Sequence, residues 1–164
     1  YIHTYVRTYV HTYAHTHIPT YYEIAGFVWF QGFNDKFSDH STSTYQENMA
    51  HFIRDVRKDL KLPKLPFVIG AMGHQGTEQK GTTKILADAQ IATAEMPEFK
   101  GNVITVKTAD FWDYDAGKAF ENKNKDPDTW AKLGSNRAYH YFGSAAFFEK
   151  TGTAFAEAVI ELGK

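Results

Sequence analysis

The sequence predicts an α/β protein, a doubly wound parallel sheet with helices on both faces. Three observations point there: short apolar runs recur between longer amphipathic stretches, a glycine or a polar loop closes each run, and the stretches between them carry helical spacing. Alternation of this kind implies parallel strands joined by right-handed crossovers. The chain has 164 residues, one domain's worth. With 43% hydrophobic, 16% aromatic and 23% charged residues it can bury a real core, so disorder of the whole chain is excluded.

The elements follow in order. Glu23 to Phe30 is an apolar run ended by Gly32 and reads as a strand buried on both faces. A polar stretch, Asn34 to Ser43, leads to Thr44-Tyr45-Gln46-Glu47, the pattern of a capping box. Tyr45, Met49, Phe52, Ile53, Val56 and Leu60 then recur at helical spacing, with Arg54, Asp55, Lys58 and Asp59 opposite. Pro63 and Pro66 break the helix before a second strand, Phe67 to Met72. A glycine-rich loop, Gly73 to Gly81, precedes a helix marked by Ile85, Leu86, Ala89, Ala92 and Met96 and stopped by Pro97. Val103 to Val106 is a third strand, and Asp113 to about Asp128 reads as a polar loop. Ser144 can cap a last helix in which Phe147, Phe148, Phe155, Val159 and Ile160 face inward.

The first twenty residues differ from the rest. They run Tyr-Ile-His-Thr, Tyr-Val-Arg-Thr, Tyr-Val-His-Thr, Tyr-Ala-His-Thr and His-Ile-Pro-Thr, a tetrapeptide repeat too short to form a supersecondary unit. A four-base repeat such as ACATACATACAT, translated through, would give the same pattern. Residues 1–20 are therefore set apart as low complexity, and residues 21–164 as the folded domain. A frayed or edge-strand tail is one reading of the repeat. Metal capture is the other, because His3, His11, His15 and His17 are half of the eight histidines. Without a folded frame nothing fixes the geometry of such ligands, and no metal site is assigned.

Charge names no partner. Eighteen basic and nineteen acidic side chains leave a formal charge of −1, which favours neither nucleic acid nor an anionic membrane. No apolar run approaches the ~18 residues of a membrane span. With no cysteine there is no disulfide, thiolate nucleophile, zinc finger or iron–sulfur cluster. The chain opens on Tyr1 without a recognisable start or signal peptide, reads as a fragment, and does not declare its compartment.

In open α/β sheets ligands bind outside the carboxyl ends of the strands. Three loops leave those ends: Gln31-Gly32-Phe33-Asn34-Asp35, Gly73-His74-Gln75-Gly76 and Thr108-Ala109-Asp110-Phe111-Trp112-Asp113. A fourth segment, Tyr139-His140-Tyr141, precedes the last helix. Serine-type ester hydrolysis needs a nucleophile, a base and oxyanion donors. His140 is the candidate base, and Asn34 with Gly32 the candidate oxyanion group, although a histidine before a helix also occurs as a surface or packing residue and Gly-x-Asn-Asp as an ordinary turn. Asp110, Asp113 and Asp115 could orient a base or be solvated loop carboxylates. Trp29, Trp112 and Trp130 could stack on a sugar ring or belong to the core.

Ala25-Gly26-Phe27-Val28-Trp29-Phe30-Gln31-Gly32-Phe33-Asn34-Asp35 resembles the Trp-x-Gln-Gly block of the sialate O-acetylesterase-like carbohydrate esterases, a branch of the SGNH hydrolase superfamily. Met49 to Arg57, Pro66 to Gly70 and Tyr139 to Ala145 are similar to later segments of that family. The resemblance runs from about Tyr22 to Leu162. It implies a three-layer flavodoxin-like sheet, truncated at its N-terminus, and hydrolysis of O-acyl, typically O-acetyl, groups on carbohydrates by a serine, histidine and acid arrangement without metal or cofactor. It further implies that Asn34 and Gly32 lie in the oxyanion hole and His140 is the general base, with Trp29, Gln31 and Asp35 as substrate contacts. Members are often secreted.

Two departures stand out. The family's nucleophilic serine precedes the segment matching Gly26-Phe27, where this chain carries the tetrapeptide repeat, and no serine here matches it. The acid shortly before the histidine is also missing, since Arg137 and Asn136 stand three and four positions back. The chain is therefore expected to be weakly active or inactive. The alternatives are a non-catalytic carbohydrate-binding remnant and a metal-binding histidine tail on a passive domain. Loss of an inner strand is also expected to leave an unpaired sheet edge.

Overall fold

The computed structural model describes residues 23–164. The tetrapeptide repeat and its four histidines lie outside them. Three parallel strands, β1 (Phe27–Trp29), β2 (Phe67–Ala71) and β3 (Val103–Lys107), form a sheet in the order β1-β2-β3. Phe27 is level with Phe67, and Phe67 in turn with Val103. β1 is shorter than the expected Glu23–Phe30, because residues 23–26 lie outside the ladder.

A short helix α1 (Asp39–Ser43) and a long one, α2 (Tyr45–Leu60), join β1 to β2, and α3 (Gly81–Ala94) joins β2 to β3. Side chains alternate across a strand. Phe67 and Ile69 meet Met49, Ile53 and Leu86 on the α2 and α3 side, in a core completed by Tyr45, Phe99 and Val103. Gly70 faces the other side, where a Cβ would come within 2.6 Å of the Phe155 and Phe30 rings. Phe155 belongs to α6 (Ala145–Leu162), which covers that second face. The result is the predicted three-layer α/β/α arrangement.

The capping box at Thr44 does not form. Thr44 precedes α2 directly, but α1 ends there, and the threonine hydroxyl donates to the His40 carbonyl (2.8 Å) instead. The polar stretch from Asp113 is helical rather than a loop: α4 (Tyr114–Glu121) and α5 (Pro127–Leu133) occupy it. Asp113 caps α4 by accepting from the Ala116 amide (2.8 Å), and Ala116 and Ala119 are buried. Asp126 caps α5 through the Thr129 amide (3.1 Å), with Pro127 at its first turn.

Two faces also differ from expectation. On α3 the buried residues are Thr83, Leu86, Ala87, Gln90 and Thr93, while Ile85 is exposed. The inward face is thus partly polar, which the internal hydrogen bonds described below make tolerable. On α6, Ser144 caps the helix through the Phe147 amide (3.2 Å), and Phe147 is fully buried. Phe148 and Ile160 are exposed, because Ile160 lies on the far side of the helix and Phe148 is covered only along one edge by Tyr141 and Phe147.

Candidate active site

The turn after β1 is fixed from beneath by two buried polar side chains. Gln90 Nε2 donates to the Gln31 carbonyl (2.9 Å) and to the Tyr45 hydroxyl (3.0 Å), and the Tyr45 hydroxyl donates to the same carbonyl (3.0 Å). Gln90 Oε1 accepts the Met72 amide (2.7 Å), so one amide ties the ends of β1 and β2 together. Trp29 Nε1 adds a long bond to the Tyr45 hydroxyl (3.4 Å). Burial raises the Tyr45 phenol pKa, and the bonds from Trp29 and Gln90 oppose this. Gly32 rests on the same cluster. Its φ is +152°, and a Cβ there would stand 3.1 Å from Gln90 Nε2 and 3.2 Å from Leu86, so glycine is what lets the chain pass.

Asn34 opens a one-turn 3-10 helix, Asp35–Phe37, and its exposed side chain makes no capping bond to that turn. The turn is closed by Asp35 N–H to the Gly32 carbonyl (3.1 Å), and the Asp35 carbonyl accepts from the Thr42 hydroxyl (3.0 Å). The candidate oxyanion amide therefore sits on a fixed backbone with its donor group turned to solvent.

His140 lies in a loop of unusual backbone. Tyr141 (φ 53°) and Phe142 (φ 59°) are consecutive left-handed non-glycine residues, followed by Gly143 (φ 64°). Such residues cost on the order of 1–3 kcal/mol each and persist only where packing dictates them. Here the packing is aromatic. The Tyr141 ring stacks on Phe147 (4.0 Å) and Phe30 (5.4 Å) and meets Trp112 edge-on (6.1 Å). Its hydroxyl accepts the Gly73 amide (3.3 Å), and burial raises its pKa. The Phe142 carbonyl accepts the Ser135 and Asn136 amides (2.7 and 2.9 Å).

The exposed His140 ring has Nδ1 3.1 Å from Asn136 Oδ1. An Nδ1–H donated to that amide leaves Nε2 free as a base, the orientation an acid supplies in a serine triad. Asn136 thus holds the ring at the position four back, by a neutral bond rather than by charge. Among the described residues no serine hydroxyl is hydrogen-bonded to this ring. Ser144 Oγ instead donates to Asp113 Oδ2 and accepts the Phe147 amide. Asp113 is thereby engaged in capping, and Asp115 lies 3.4 Å from Lys118 on the α4 surface.

Rings join the two halves of the site. Phe33, between Gly32 and Asn34, packs against Tyr139 at 5.4 Å, and Tyr139 meets His140 at 4.4 Å. The turn after β1 and the segment before α6 thus lie side by side at the carboxyl edge. The tryptophans are packed: Trp29 on Phe52 (4.6 Å), Trp112 on Phe142 (4.9 Å) and Trp130 on Phe120 (5.3 Å). Gln31 is exposed with its carbonyl anchored, and Asp35 is half-buried. Two clefts open on the same edge, one of about 230 Å³ beside Lys84, Asp88 and Asp110, and one of about 620 Å³ beside Trp112, Tyr114 and Phe142. Neither is lined by Asn34 or His140.

His74, from the loop after β2, is buried beneath the Asn34 turn, only 5% exposed. Its Nε2 lies 3.0 Å from Lys36 Nζ and 3.2 Å from the Thr83 hydroxyl, and its ring meets Phe33 edge-on at 5.1 Å. Burial, and then the Lys36 charge, push its pKa down to about 4. Burial also lowers that of Lys36. Phe33 and Lys36 are both held by this neutral imidazole, and Asn34 lies between them in the chain. Gln90 was missed by motif reasoning, and Asn136, Tyr45 and His74 were named there only as a non-acidic neighbour, a helix-face residue and a loop residue, without these contacts. The available signals were an amide four positions before the histidine and a glutamine within an apolar helical stripe. Among the described residues no group of three or more histidine, aspartate or glutamate side chains could hold a metal ion, and no helix is long and apolar enough to cross a membrane.

Three parallel strands flanked by helices on both faces are consistent with a truncated α/β/α fold of the SGNH hydrolase class. The family model for carbohydrate esterases described as sialic acid-specific acetylesterases matches residues 3–121, and the chain belongs to that family. The match includes Gly32 and Asn34 and ends before His140. A protein of Arabidopsis thaliana described as a probable carbohydrate esterase is 37% identical over 54 residues, covering 33% of this chain and 21% of that protein. The matched segment is thus about a fifth of the relative's length. No solved structure matches the chain.

Proposed function

We propose that residues 21–164 form the part of a serine-type carbohydrate O-acetylesterase that supplies the oxyanion donors and the base. Asn34 and the Gly32 backbone would receive the developing oxyanion, and His140 Nε2 would take the proton of a serine, with Asn136 holding the imidazole. The observation that carries this is the contact between Phe33 and Tyr139, which sets the Gly32-Phe33-Asn34 turn beside His140. Gln31 and Asp35 flank the turn as substrate contacts, and Trp29 acts from beneath through Tyr45. No serine of this chain occupies the family's nucleophile position, so the chain alone is expected to be weakly active or inactive toward acetyl esters.

Hydrolysis of 4-nitrophenyl acetate by the chain and by His140→Ala tests the assignment. The expected rate is the buffer background for both. Turnover well above that of free imidazole at the same concentration, abolished by His140→Ala, would mean that a nucleophile in this chain has gone unidentified. A second reading, a carbohydrate-binding remnant, is favoured by one observation: the His140 ring has Nδ1 beside Asn136 Oδ1 and no serine hydroxyl bonded to it among the described residues. Sugar binding without ester cleavage would identify it.

A further inference from the structure

Phe37 is 72% exposed, the largest value among the exposed large hydrophobic side chains of the described residues. It ends the 3-10 turn that follows Asn34, and its ring meets Phe33 edge-on at 5.4 Å. Phe33 continues to Tyr139 at 5.4 Å, and Tyr139, 38% exposed, to His140 at 4.4 Å. Four rings from two loops therefore form one row that starts in solvent and ends on the candidate base. Lys36 fixes the middle of the row: its Nζ stands 4.0 Å over the Phe33 ring and 5.1 Å from that of Phe37, while held on His74. Phe37 and Tyr139 remain the outward rings.

We propose that Phe37, the outermost and most exposed ring of this row, stacks on the apolar face of the pyranose ring of an acylated carbohydrate and is its affinity-determining contact. The identity of the bound sugar ester rests on the esterase reading above. A pyranose offers an apolar C–H face and a rim of hydroxyls, which suits a narrow ledge of rings bordered by polar side chains. Polar side chains are close in the chain, since Asn34, Ser38 and Asp39 flank Phe33 and Phe37 in sequence and are exposed. A single row of rings is narrower than the broad apolar patch a protein partner needs. Trp29, Trp112 and Trp130 pack on Phe52, Phe142 and Phe120, and none of them belongs to this row.

Binding of methyl 6-O-acetyl-β-D-glucopyranoside and of methyl β-D-glucopyranoside to the full chain, followed by NMR titration, tests the Phe37 contact. Wild type is expected to bind the acetylated glucoside, Phe37→Ala to weaken binding about fivefold, and Phe37→Trp to retain it within about twofold. Ile160→Ala removes an exposed apolar side chain on the far side of α6, away from the row, and should change nothing. Dispersed amide spectra and unchanged sedimentation establish that each variant is folded and in the same association state. No binding by wild type, equal binding by wild type and Phe37→Ala, or a Phe37→Ala effect on self-association alone would overturn the proposal. Equal, Phe37-dependent binding of both glucosides would keep the Phe37 contact and count against the ester reading. Preference for the acetylated glucoside without dependence on Phe37 would do the reverse.

Discussion

The Lys36 ammonium stands 3.0 Å from the buried imidazole of His74, beneath the turn that carries Asn34. Nε2 therefore accepts, Nδ1 carries the proton, and Nδ1 has no partner within its buried pocket. A protonated His74 would face a second cation at that distance and would itself lose hydration. Both effects favour the neutral ring, which is why its pKa falls to about 4.

A pH dependence of stability follows. In the unfolded chain His74 titrates near the ordinary 6.5, so between about pH 6.5 and about pH 4 the unfolded state binds the extra proton. Stability should hold above that window, fall as pH drops through it by on the order of 2–3 kcal/mol, and level off below from this group. Urea midpoints against pH, for wild type and His74→Asn, check this. Equally steep curves for the two proteins would remove His74 as the cause.

Gln90→Leu should cost about 2–4 kcal/mol, because it leaves the Met72 amide without its acceptor and the Gln31 carbonyl without one of its donors inside the core. Amide exchange at Met72 should quicken more than at β3. A loss under about 0.5 kcal/mol would mean that water replaces the amide at little cost.

Two glycines should respond with opposite signs. Gly70→Ala drives a methyl to within 2.6 Å of the Phe155 and Phe30 rings and should destabilise by about 1–3 kcal/mol. Gly152 lies in the exposed middle of α6 with nothing within 4 Å of a Cβ, and Gly152→Ala should stabilise by about 1 kcal/mol. Thermal melts of both variants give the comparison, and destabilisation by Gly152→Ala would count against a regular helix there.

Arg57 is buried, and its guanidinium donates to the Leu65 carbonyl (2.9 Å) and to Asn102 through its carbonyl (3.0 Å) and Oδ1 (2.7 Å). It clasps α2 to the segments entering β2 and β3, at the edge opposite the site. Burial lowers its pKa, with Glu98 opposing. Arg57→Lys should cost about 2–3 kcal/mol, since an ammonium cannot reproduce the planar fork, and should leave glucoside binding unchanged. Denaturation and the NMR titration read the two effects separately.

The three strands, α2, α3 and α6 were legible as elements from apolar runs, helical spacing and proline or glycine punctuation, but their buried faces were legible only in part: β1 is not buried on both faces, since Val28 is exposed, and Ile85, Phe148 and Ile160 face solvent. α4 and α5 were not legible, because eight and seven residues rich in charge offer too few apolar positions to show a period. Their signals were the caps, Asp113 and Asp126. The inward face of α3 was misread for a related reason: Gln90 and Thr93 are fully buried through hydrogen bonds, whereas hydropathy assigns them to solvent. At the site, Asn34, Gly32 and His140 stood out by type and position. Asn136 and His74 did not, since their roles come from a left-handed loop and from a contact between residues far apart in sequence.

Tyr141 touches all three loops of the carboxyl edge at once: Phe30 after β1, Gly73 after β2 and Trp112 after β3. His140 is its neighbour in the chain. The lengths of those loops are in consequence bound to one another, and grafting a longer loop after any single strand would lift the tyrosine and turn the histidine with it. The opposite edge has no such keystone. The exposed Pro63-Lys64 turn could accept inserted residues without disturbing the imidazole, which makes it the place to attach a reporter or a tether.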